Sequence, residues 1–200
     1  MIVIGLTGSI AMGKTETAKM FRSLGIPVFD SDAEVHRIYS DDSEVIGKIA
    51  AVAPATVKDG HVDRKELSSY LMDHQSGLET IQAIVHPAIR RSQVEFIERC
   101  KAEGHDIVVI DIPLLFETGR GSDFDAIVVV SAPPEIQRQR AMARPGMTAE
   151  KLDYILSRQV PDAEKRAKAD YIIDTSRGFD KALDAVRAIV RDVKSKTGVT

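Results

Sequence analysis

The sequence contains no tryptophan, no asparagine, one cysteine and few aromatic residues, which make up 5% of its 200 positions. Without asparagine, the Asn-Lys-x-Asp motif with which regulatory GTPases bind guanine is impossible in its strict form. The low aromatic content and the net charge of −3 argue against a non-catalytic nucleic-acid binder that stacks bases on aromatic rings. The cysteine, Cys100, cannot form an internal disulfide, and we interpret it as incidental rather than catalytic.

Long hydrophobic runs are also missing. Apolar stretches such as Ile107–Ile110 are short, whereas a membrane-spanning helix needs about 20 apolar residues. The first residues have neither the basic start nor the cleavage site of a signal peptide. With 44% apolar and 28% charged residues, the composition is typical of a globular chain. We therefore expect one cytoplasmic domain that binds small molecules, and neither a membrane nor a nucleic acid.

Residues Gly8–Thr15, GSIAMGKT, match the phosphate-loop pattern G-x-x-x-x-G-K-[ST]. They follow the apolar run Ile2–Leu6 and precede a predicted helix over Thr15–Leu24, which is the strand–loop–helix context that the motif needs. The backbone N–H groups of such a loop, with the positive end of the helix, hold a polyphosphate. Lys14 is expected to reach the β- and γ-phosphates, and the Thr15 hydroxyl to bind Mg²⁺. We assign nucleotide binding to Gly8, Ala11, Met12, Gly13, Lys14, Thr15 and Glu16.

Short apolar segments rich in valine and isoleucine recur along the chain, with helical stretches between them. Such segments are typical of strands that are buried on both faces of a sheet. The predicted strands are Ile2–Leu6, Pro27–Phe29, Ile107–Ile110, Ala126–Val130 and Tyr171–Ile173. Their alternation with helices predicts an α/β fold with a parallel sheet.

Two insertions divide this predicted core, which consists of residues 1–30, 105–136 and 169–200. Residues 31–104 are mostly helical and too long for a simple crossover, so we predict a separate helical lobe, broken after Ala53-Pro54. Residues 137–168 contain eight basic and four acidic residues, with a break at Pro145-Gly146. This composition predicts a helical lid that shields a phosphoryl group during transfer. The alternative is a solvated pair of charged helices.

Within this lid, Arg140 and Arg144 are four residues apart, which predicts that both lie on one face of a helix. Two guanidinium groups on one face can bind the phosphates of ATP in bidentate fashion. We therefore assign ATP binding to both arginines and catalysis to Arg140.

Carboxylates follow two of the predicted strands. Asp30 and Asp32 come after the second strand, and Asp111 follows the third. Ligands of open α/β sheets bind at the carboxyl ends of the strands, so these side chains are expected near the phosphate loop. We predict that Asp30 caps the next helix and that Asp32 accepts the proton of an acceptor hydroxyl. Asp111 is expected to support Mg²⁺ with Thr15, the alternative being that it caps the loop that follows.

Two further segments suit an organic acceptor. The segment Pro113–Glu117 supplies three candidate substrate contacts, which are Leu114, Leu115 and Glu117. Ordinary core packing is the alternative for Leu115 and Phe116. Pro87 predicts the start of a new helix, and His86 before it either contacts a substrate phosphate or caps that helix.

Together these motifs resemble the dephospho-coenzyme A kinase family over nearly the entire chain. The matching segments are Ile4–Gly8, Asp30-x-Asp32, His86-Pro87, Pro113–Glu117, Gln137-x-x-Arg140-x-x-x-Arg144, Gln159 and Ala169–Asp174. The phosphate loop alone occurs in many families, whereas the ordered set is much more specific.

The resemblance implies a P-loop kinase-type three-layer sandwich that transfers the γ-phosphoryl group of ATP to the ribose 3′-hydroxyl of dephospho-CoA with Mg²⁺. It implies that Lys14 and Thr15 hold ATP and Mg²⁺, and that Asp32 is the base. It also implies that Arg140 belongs to the lid over ATP and that the helical lobe binds dephospho-CoA. Another small-metabolite or nucleotide kinase with the same core is the alternative. We expect a monomer or a small homo-oligomer.

The sequence departs from the family pattern at two positions. Ala11 stands where glycine is usual, and a positive φ at this alanine would cost roughly 1 kcal/mol. Thr175 stands where asparagine is common after the late-strand aspartate, which leaves the contacts on the adenine side open.

Overall fold

The computed structural model describes residues 1–74 and 77–196, so residues 75–76 of the predicted lobe and 197–200 of the predicted core lie outside the described residues. The strands are β1 (Ile2–Thr7), β2 (Val28–Asp30), β3 (Val57–Lys58), β4 (His61–Val62), β5 (Ile107–Asp111), β6 (Ala126–Ser131) and β7 (Tyr171–Asp174). The helices are α1 (Lys14–Ser23), α2 (Ser31–Asp41), α3 (Ser43–Val52), α4 (Arg64–Asp73), α5 (Gly77–Ala102), α6 (Pro134–Met142), α7 (Ala149–Ser157), α8 (Asp162–Ala167) and α9 (Phe179–Lys196). None of the helices in the described part of the chain combines the length and the apolarity that crossing a lipid bilayer requires.

The central sheet contains five parallel strands in the order β2-β5-β1-β6-β7. All five predicted strands are present, and each ends within one residue of its predicted bounds, which confirms the α/β fold. Every residue of β5 and β6 is buried, which explains why both sequences are continuous apolar runs. Because β1 pairs with β5 on one side and β6 on the other, the loop after β1 leaves from the centre of the sheet.

The chain forms two compact units, residues 1–29 with 99–200 and residues 30–98. The first unit contains most of the sheet and a core that includes Phe21 of α1 and Val128 of β6. Helix α9 adds an apolar face to this core, made of Ala182, Val186, Ile189 and Val193.

The unit of residues 30–98 is mainly helical and has a hydrophobic core of its own, which includes Ile38 and Ile49. Three aspartates cap its helices by accepting hydrogen bonds from backbone N–H groups of the first turn; they are Asp30 at α2, Asp42 at α3 and Asp63 at α4. The predicted capping role of Asp30 is thereby confirmed, with a distance of 3.0 Å from its carboxylate to the Ala33 nitrogen.

The predicted break after Ala53-Pro54 is present, and it contains a small antiparallel hairpin of β3 and β4 that the sequence analysis did not predict. Asp59 and Gly60 form its turn with φ angles of 49° and 78°. Asp-Gly is a favoured dipeptide for such turns because both positions need positive φ. The hairpin escaped prediction because its strands contain only two residues each.

The expected helix start at Pro87 is wrong, because α5 continues through this proline. Proline cannot donate the backbone hydrogen bond that would reach the carbonyl of Ala83, four residues earlier. Ala83 and His86 are both exposed, so water can satisfy this carbonyl and the helix persists.

The segment 137–168 lies within the first unit and contains most of α6 together with α7 and α8. The predicted break at Pro145-Gly146 is present, but the expected common helix face of Arg140 and Arg144 is wrong. Helix α6 ends at Met142, and Arg144 follows it. Proline disfavours the helical conformation in the residue before it, so Pro145 keeps Arg144 out of the helix.

Candidate active site

The phosphate loop runs from the end of β1 into α1, and two of its glycines are required by geometry. A Cβ at Gly8 would lie 2.3 Å from Cγ2 and 2.8 Å from the carbonyl oxygen of Val130. Gly13 has a φ of 98°, in the region that favours glycine, and its Cβ would lie 3.1 Å from Cγ2 of Thr175. The loop therefore packs against the end of β6 and against the residues that follow β7.

Ala11 has a φ of 61°, so it does adopt the strained positive φ that glycine, the usual residue of the family here, would accommodate. The left-handed conformation costs an alanine roughly 1–2 kcal/mol. However, Ala11 is buried in a small apolar cluster with Ala141 and Leu152 of the predicted lid. Burying a methyl group contributes about 0.8 kcal/mol, so this packing offsets much of the strain.

Lys14, the first residue of α1, forms an ion pair with Asp111 at the end of β5. Asp111 is buried and lies beside Leu6 of β1 in the sheet register. The sheet therefore brings together the lysine of the phosphate loop and the carboxylate that ends the neighbouring strand. Thr15, the next residue of α1, is exposed, as is Glu16, which pairs with Lys19 on the surface of the same helix.

Arg140 of α6 is held by Thr175. Its Nη1 donates to Oγ1 of Thr175 and its Nη2 to the carbonyl oxygen of the same residue, both at 2.8 Å. The Thr175 hydroxyl in turn donates to the carbonyl oxygen of Met12 in the phosphate loop, at 2.7 Å. Thr175 therefore joins the guanidinium group of the predicted lid to the backbone of the phosphate loop.

The position of Thr175 depends on a short 3₁₀ turn, Thr175–Arg177, which begins after β7. Asp174 caps this turn by accepting hydrogen bonds from the hydroxyl and the backbone N–H of Ser176. The same hydrogen bonds, with a smaller contribution from Arg177, lower the pKa of Asp174. The cap is therefore ionised at neutral pH, where it keeps Thr175 at the start of the turn.

Two of the three candidate contacts after β5 have structural roles. Leu115 is fully buried, so the alternative of core packing holds for it and direct substrate contact does not. Glu117 accepts a hydrogen bond from Val160 N at 2.8 Å and forms an ion pair, also at 2.8 Å, with the fully buried Lys165 of α8. Leu114 is 41% exposed and stays a candidate contact.

Two further acceptor-side candidates, Asp32 and His86, belong to the unit of residues 30–98. Asp32 lies in the first turn of α2 and is exposed, two residues after the cap Asp30. His86 is exposed on α5 and, because that helix continues through Pro87, it does not cap a helix.

Sequence reasoning missed the contacts of Thr175, Glu117 and Lys165 because none of them has a local signal. Lys165 is one of the eight basic residues of the predicted lid, yet its side chain has no exposed surface and pairs with Glu117. Arg140 and Thr175 are 35 positions apart, and no spacing rule connects them.

A parallel sheet whose central strand leads through a phosphate loop into a helix, with a carboxylate ending the neighbouring strand, is typical of P-loop nucleotide-binding enzymes. A family model described as Dephospho-CoA kinase matches residues 2–181. The chain belongs to the dephospho-CoA kinase family.

Similar proteins support this membership. The chain is 51% identical over 195 residues to a dephospho-CoA kinase of Rhizobium meliloti (strain 1021), covering 98% of this chain and 100% of that protein. The crystal structure of TT1252 from Thermus thermophilus matches with a TM-score of 0.82 and 32% identity, over 96% of this chain and 97% of that one. Dephospho-CoA kinase from Campylobacter jejuni shares the fold with a TM-score of 0.73 at 24% identity, over 98% of both chains.

Proposed function

We propose that this enzyme transfers the γ-phosphoryl group of ATP to the ribose 3′-hydroxyl of dephospho-CoA, giving coenzyme A and ADP. The observation that carries the choice of acceptor is the family match over residues 2–181. The phosphate loop supports the choice of donor, because its glycines, its lysine and the first turn of α1 form the polyphosphate cradle of P-loop enzymes. We expect the enzyme to work in the cytoplasm as a monomer or a small homo-oligomer.

On the nucleotide side, Lys14 binds the β- and γ-phosphates, and Arg140 stabilises the charge that develops during transfer. The contact between Lys14 and Asp111 supports this role, since it holds the ammonium group beside the loop before a nucleotide enters. The phosphates then compete with Asp111 for that ammonium group. Arg144, which is exposed beyond the end of α6, is proposed only as a contact to the phosphates of ATP.

The oxygen donors near the loop fit Mg²⁺. This ion binds through one or two protein carboxylates, substrate phosphates and water, and does not need a cage of protein ligands. The described residues contain no group of three or more His, Cys, Asp or Glu arranged to hold a metal, which agrees with an ion that enters with the nucleotide. Thr15 and Asp111 would hold it through a hydroxyl and a carboxylate. When bound, Mg²⁺ neutralises charge on the β- and γ-phosphates.

On the acceptor side, Asp32 takes the proton of the 3′-hydroxyl as that oxygen attacks the γ-phosphorus and ADP leaves. Its exposed carboxylate, two residues beyond β2, supports this role because acceptors of α/β enzymes bind beyond the carboxyl ends of strands. His86 and Leu114 are proposed as further contacts to dephospho-CoA.

The test is ADP formation from Mg²⁺-ATP with dephospho-CoA, run beside adenosine, AMP, shikimate and gluconate. We expect turnover with dephospho-CoA alone, a product one phosphate heavier by mass spectrometry, and loss of activity when EDTA is added. Turnover with another acceptor in preference to dephospho-CoA would overturn the assignment of the acceptor. Full activity in EDTA would overturn the role of Mg²⁺.

A further inference from the structure

Two glutamines from the segment after β6 bind the backbone of a single phosphate-loop residue, Ile10. The carbonyl oxygen of Ile10 accepts a hydrogen bond from Nε2 of Gln137 at 2.9 Å. Its backbone N–H donates to Oε1 of Gln159 at 3.1 Å. Gln137 lies in the first turn of α6 and is buried, and Gln159 is half-buried just after α7. Both contacts join residues more than 120 positions apart along the chain.

These contacts determine how the next peptide group is oriented. The carbonyl of Ile10 and the N–H of Ala11 belong to one planar trans peptide, so they point in opposite directions. Because Gln137 binds the Ile10 carbonyl, the N–H of Ala11 points away from Gln137. Ala11 has positive φ, a conformation that an alanine leaves readily unless its surroundings maintain it. The two glutamines bind the peptide groups on either side of Ile10, directly before this strained residue.

We propose that Gln137 and Gln159 are positioning residues for phosphate binding, which hold the Ile10 backbone so that the N–H of Ala11 faces the phosphates of ATP. This inference rests on the proposed function, because it takes ATP as the ligand of the loop. It assigns no chemistry to either glutamine. Since one glutamine donates and the other accepts, the two contacts have opposite chemical requirements.

Those opposite requirements give a matched test. Replacement of either glutamine by methionine removes the hydrogen bond at similar size and without charge. Replacement by glutamate keeps an acceptor for the Ile10 N–H at position 159, but at position 137 it places a carboxylate against the Ile10 carbonyl. Both glutamates add the same charge, so the difference between them reports the hydrogen bond. Gln139→Glu is the control, because Gln139 is an exposed residue of the same helix.

The primary measurement is the Kd of Mg²⁺-ATP by calorimetry without acceptor, on variants that retain the wild-type melting temperature within a few degrees. We expect Gln137→Met, Gln159→Met and Gln137→Glu each to weaken ATP binding by about tenfold, the upper range for one lost buried hydrogen bond. Gln159→Glu should recover most of the affinity lost in Gln159→Met, and Gln139→Glu should match the wild type. In steady-state assays, KM for ATP should rise while KM for dephospho-CoA stays unchanged.

Equal ATP affinity in all variants, or equal loss in Gln159→Glu and Gln137→Glu, would overturn the proposal. So would a parallel rise in the KM values of both substrates, which indicates a general structural role. If Gln137 variants do not fold, the comparison of Met and Glu at the less buried position 159 decides. A wild-type enzyme that binds ATP but does not phosphorylate dephospho-CoA would refute the proposed function and leave the binding test valid.

Discussion

The polar contacts around the phosphate loop differ in sequence range from the helix caps of the other compact unit. In the unit that contains the phosphate loop, Lys14 reaches Asp111 and Arg140 reaches Thr175, so the contacts join distant parts of the chain. In the unit of residues 30–98, many contacts stay within one turn of helix, as in the ion pairs Glu34–Arg37 and Glu44–Lys48 and in the aspartate caps.

This difference explains why the ATP site is easier to predict from the sequence than the site of the acceptor. A polyphosphate is bound by backbone groups, so its site needs glycines and a lysine at fixed spacing, which a sequence displays. An organic acceptor is bound by side chains scattered over helices, where local ion pairs and caps hide the few residues that act on the substrate. We propose that ATP affinity depends on the first unit and acceptor chemistry on Asp32 of the second, and substitutions can test each half.

The largest effect is expected for Asp32→Asn, which removes the proposed base. We expect kcat to fall by about 10²–10⁴-fold, the usual size of a general-base contribution. Asp41→Asn, an exposed aspartate on the same helix, is the control and should retain wild-type kcat. Single-turnover kinetics and the Kd of ATP, measured together, test the division of roles. A large loss of ATP affinity in Asp32→Asn would contradict the division of roles between the two units, and a near-normal kcat would refute the role of Asp32 as the base.

Lys14→Met tests the other half. Loss of the ammonium group should lower kcat/KM by about 10²–10³-fold, as for removal of one preorganised group that stabilises the transition state. Binding of dephospho-CoA, measured by calorimetry without nucleotide, should be unchanged. Lys19→Met on the same helix removes only an exposed ion pair, and its kcat/KM should stay within about twofold, since such pairs contribute about 0–1 kcal/mol. A Lys14→Met enzyme with more than a tenth of wild-type activity would contradict the proposed role.

Thr175→Val tests the hydrogen bonds of Thr175 within the first unit. Valine has nearly the shape of threonine but neither donates to Met12 nor accepts from Arg140. We expect KM for ATP to rise by about fivefold to tenfold, which corresponds to about 1–1.4 kcal/mol for the lost hydrogen bonds to Met12 and from Arg140. Thr175→Ser keeps the hydroxyl and should recover wild-type KM. If Thr175→Ser and Thr175→Val change KM for ATP equally, the contribution of Thr175 comes from packing against Gly13 and not from hydrogen bonding.

The smallest effect is expected for Ala11→Gly. Glycine relieves a positive φ of 61° but loses a methyl group packed against Ala141 and Leu152. Since both contributions are about 1 kcal/mol, the free energy of unfolding should change by less than that amount. KM for ATP should change less than about threefold and kcat should be retained. Abolished turnover would mean that the alanine has a role beyond packing.

The sequence predicts the sheet well because its strands are buried valine and isoleucine runs bounded by polar residues. It also predicts the cap Asp30, since capping depends only on neighbours within a turn. It fails at Pro87, where α5 continues through the proline, and at Arg144, where α6 ends before Pro145. Proline does weaken a helix locally, but whether the helix ends depends on the solvation and packing of the neighbouring turns.

The supporting contacts of the site are the least predictable part. Thr175, Gln137 and Gln159 form hydrogen bonds with the backbone of the phosphate loop, and such contacts follow from the fold rather than from a pattern of residue types. Gln137 and Gln159 lie in segments that match the family pattern, but the pattern does not indicate which contacts they make. The positive φ of Ala11 shows why such support is needed.

The central claim is transfer to one hydroxyl of dephospho-CoA, and the most direct measurement is the position of the new phosphate. The purified product of the reaction with Mg²⁺-ATP can be examined by ³¹P and ¹H nuclear magnetic resonance, where coupling of phosphorus to a ribose proton identifies the esterified carbon. We predict that the new phosphorus couples to H3′ alone and that one ADP forms for each product molecule. Coupling to H2′, or ADP release without a phosphorylated product, would contradict the account.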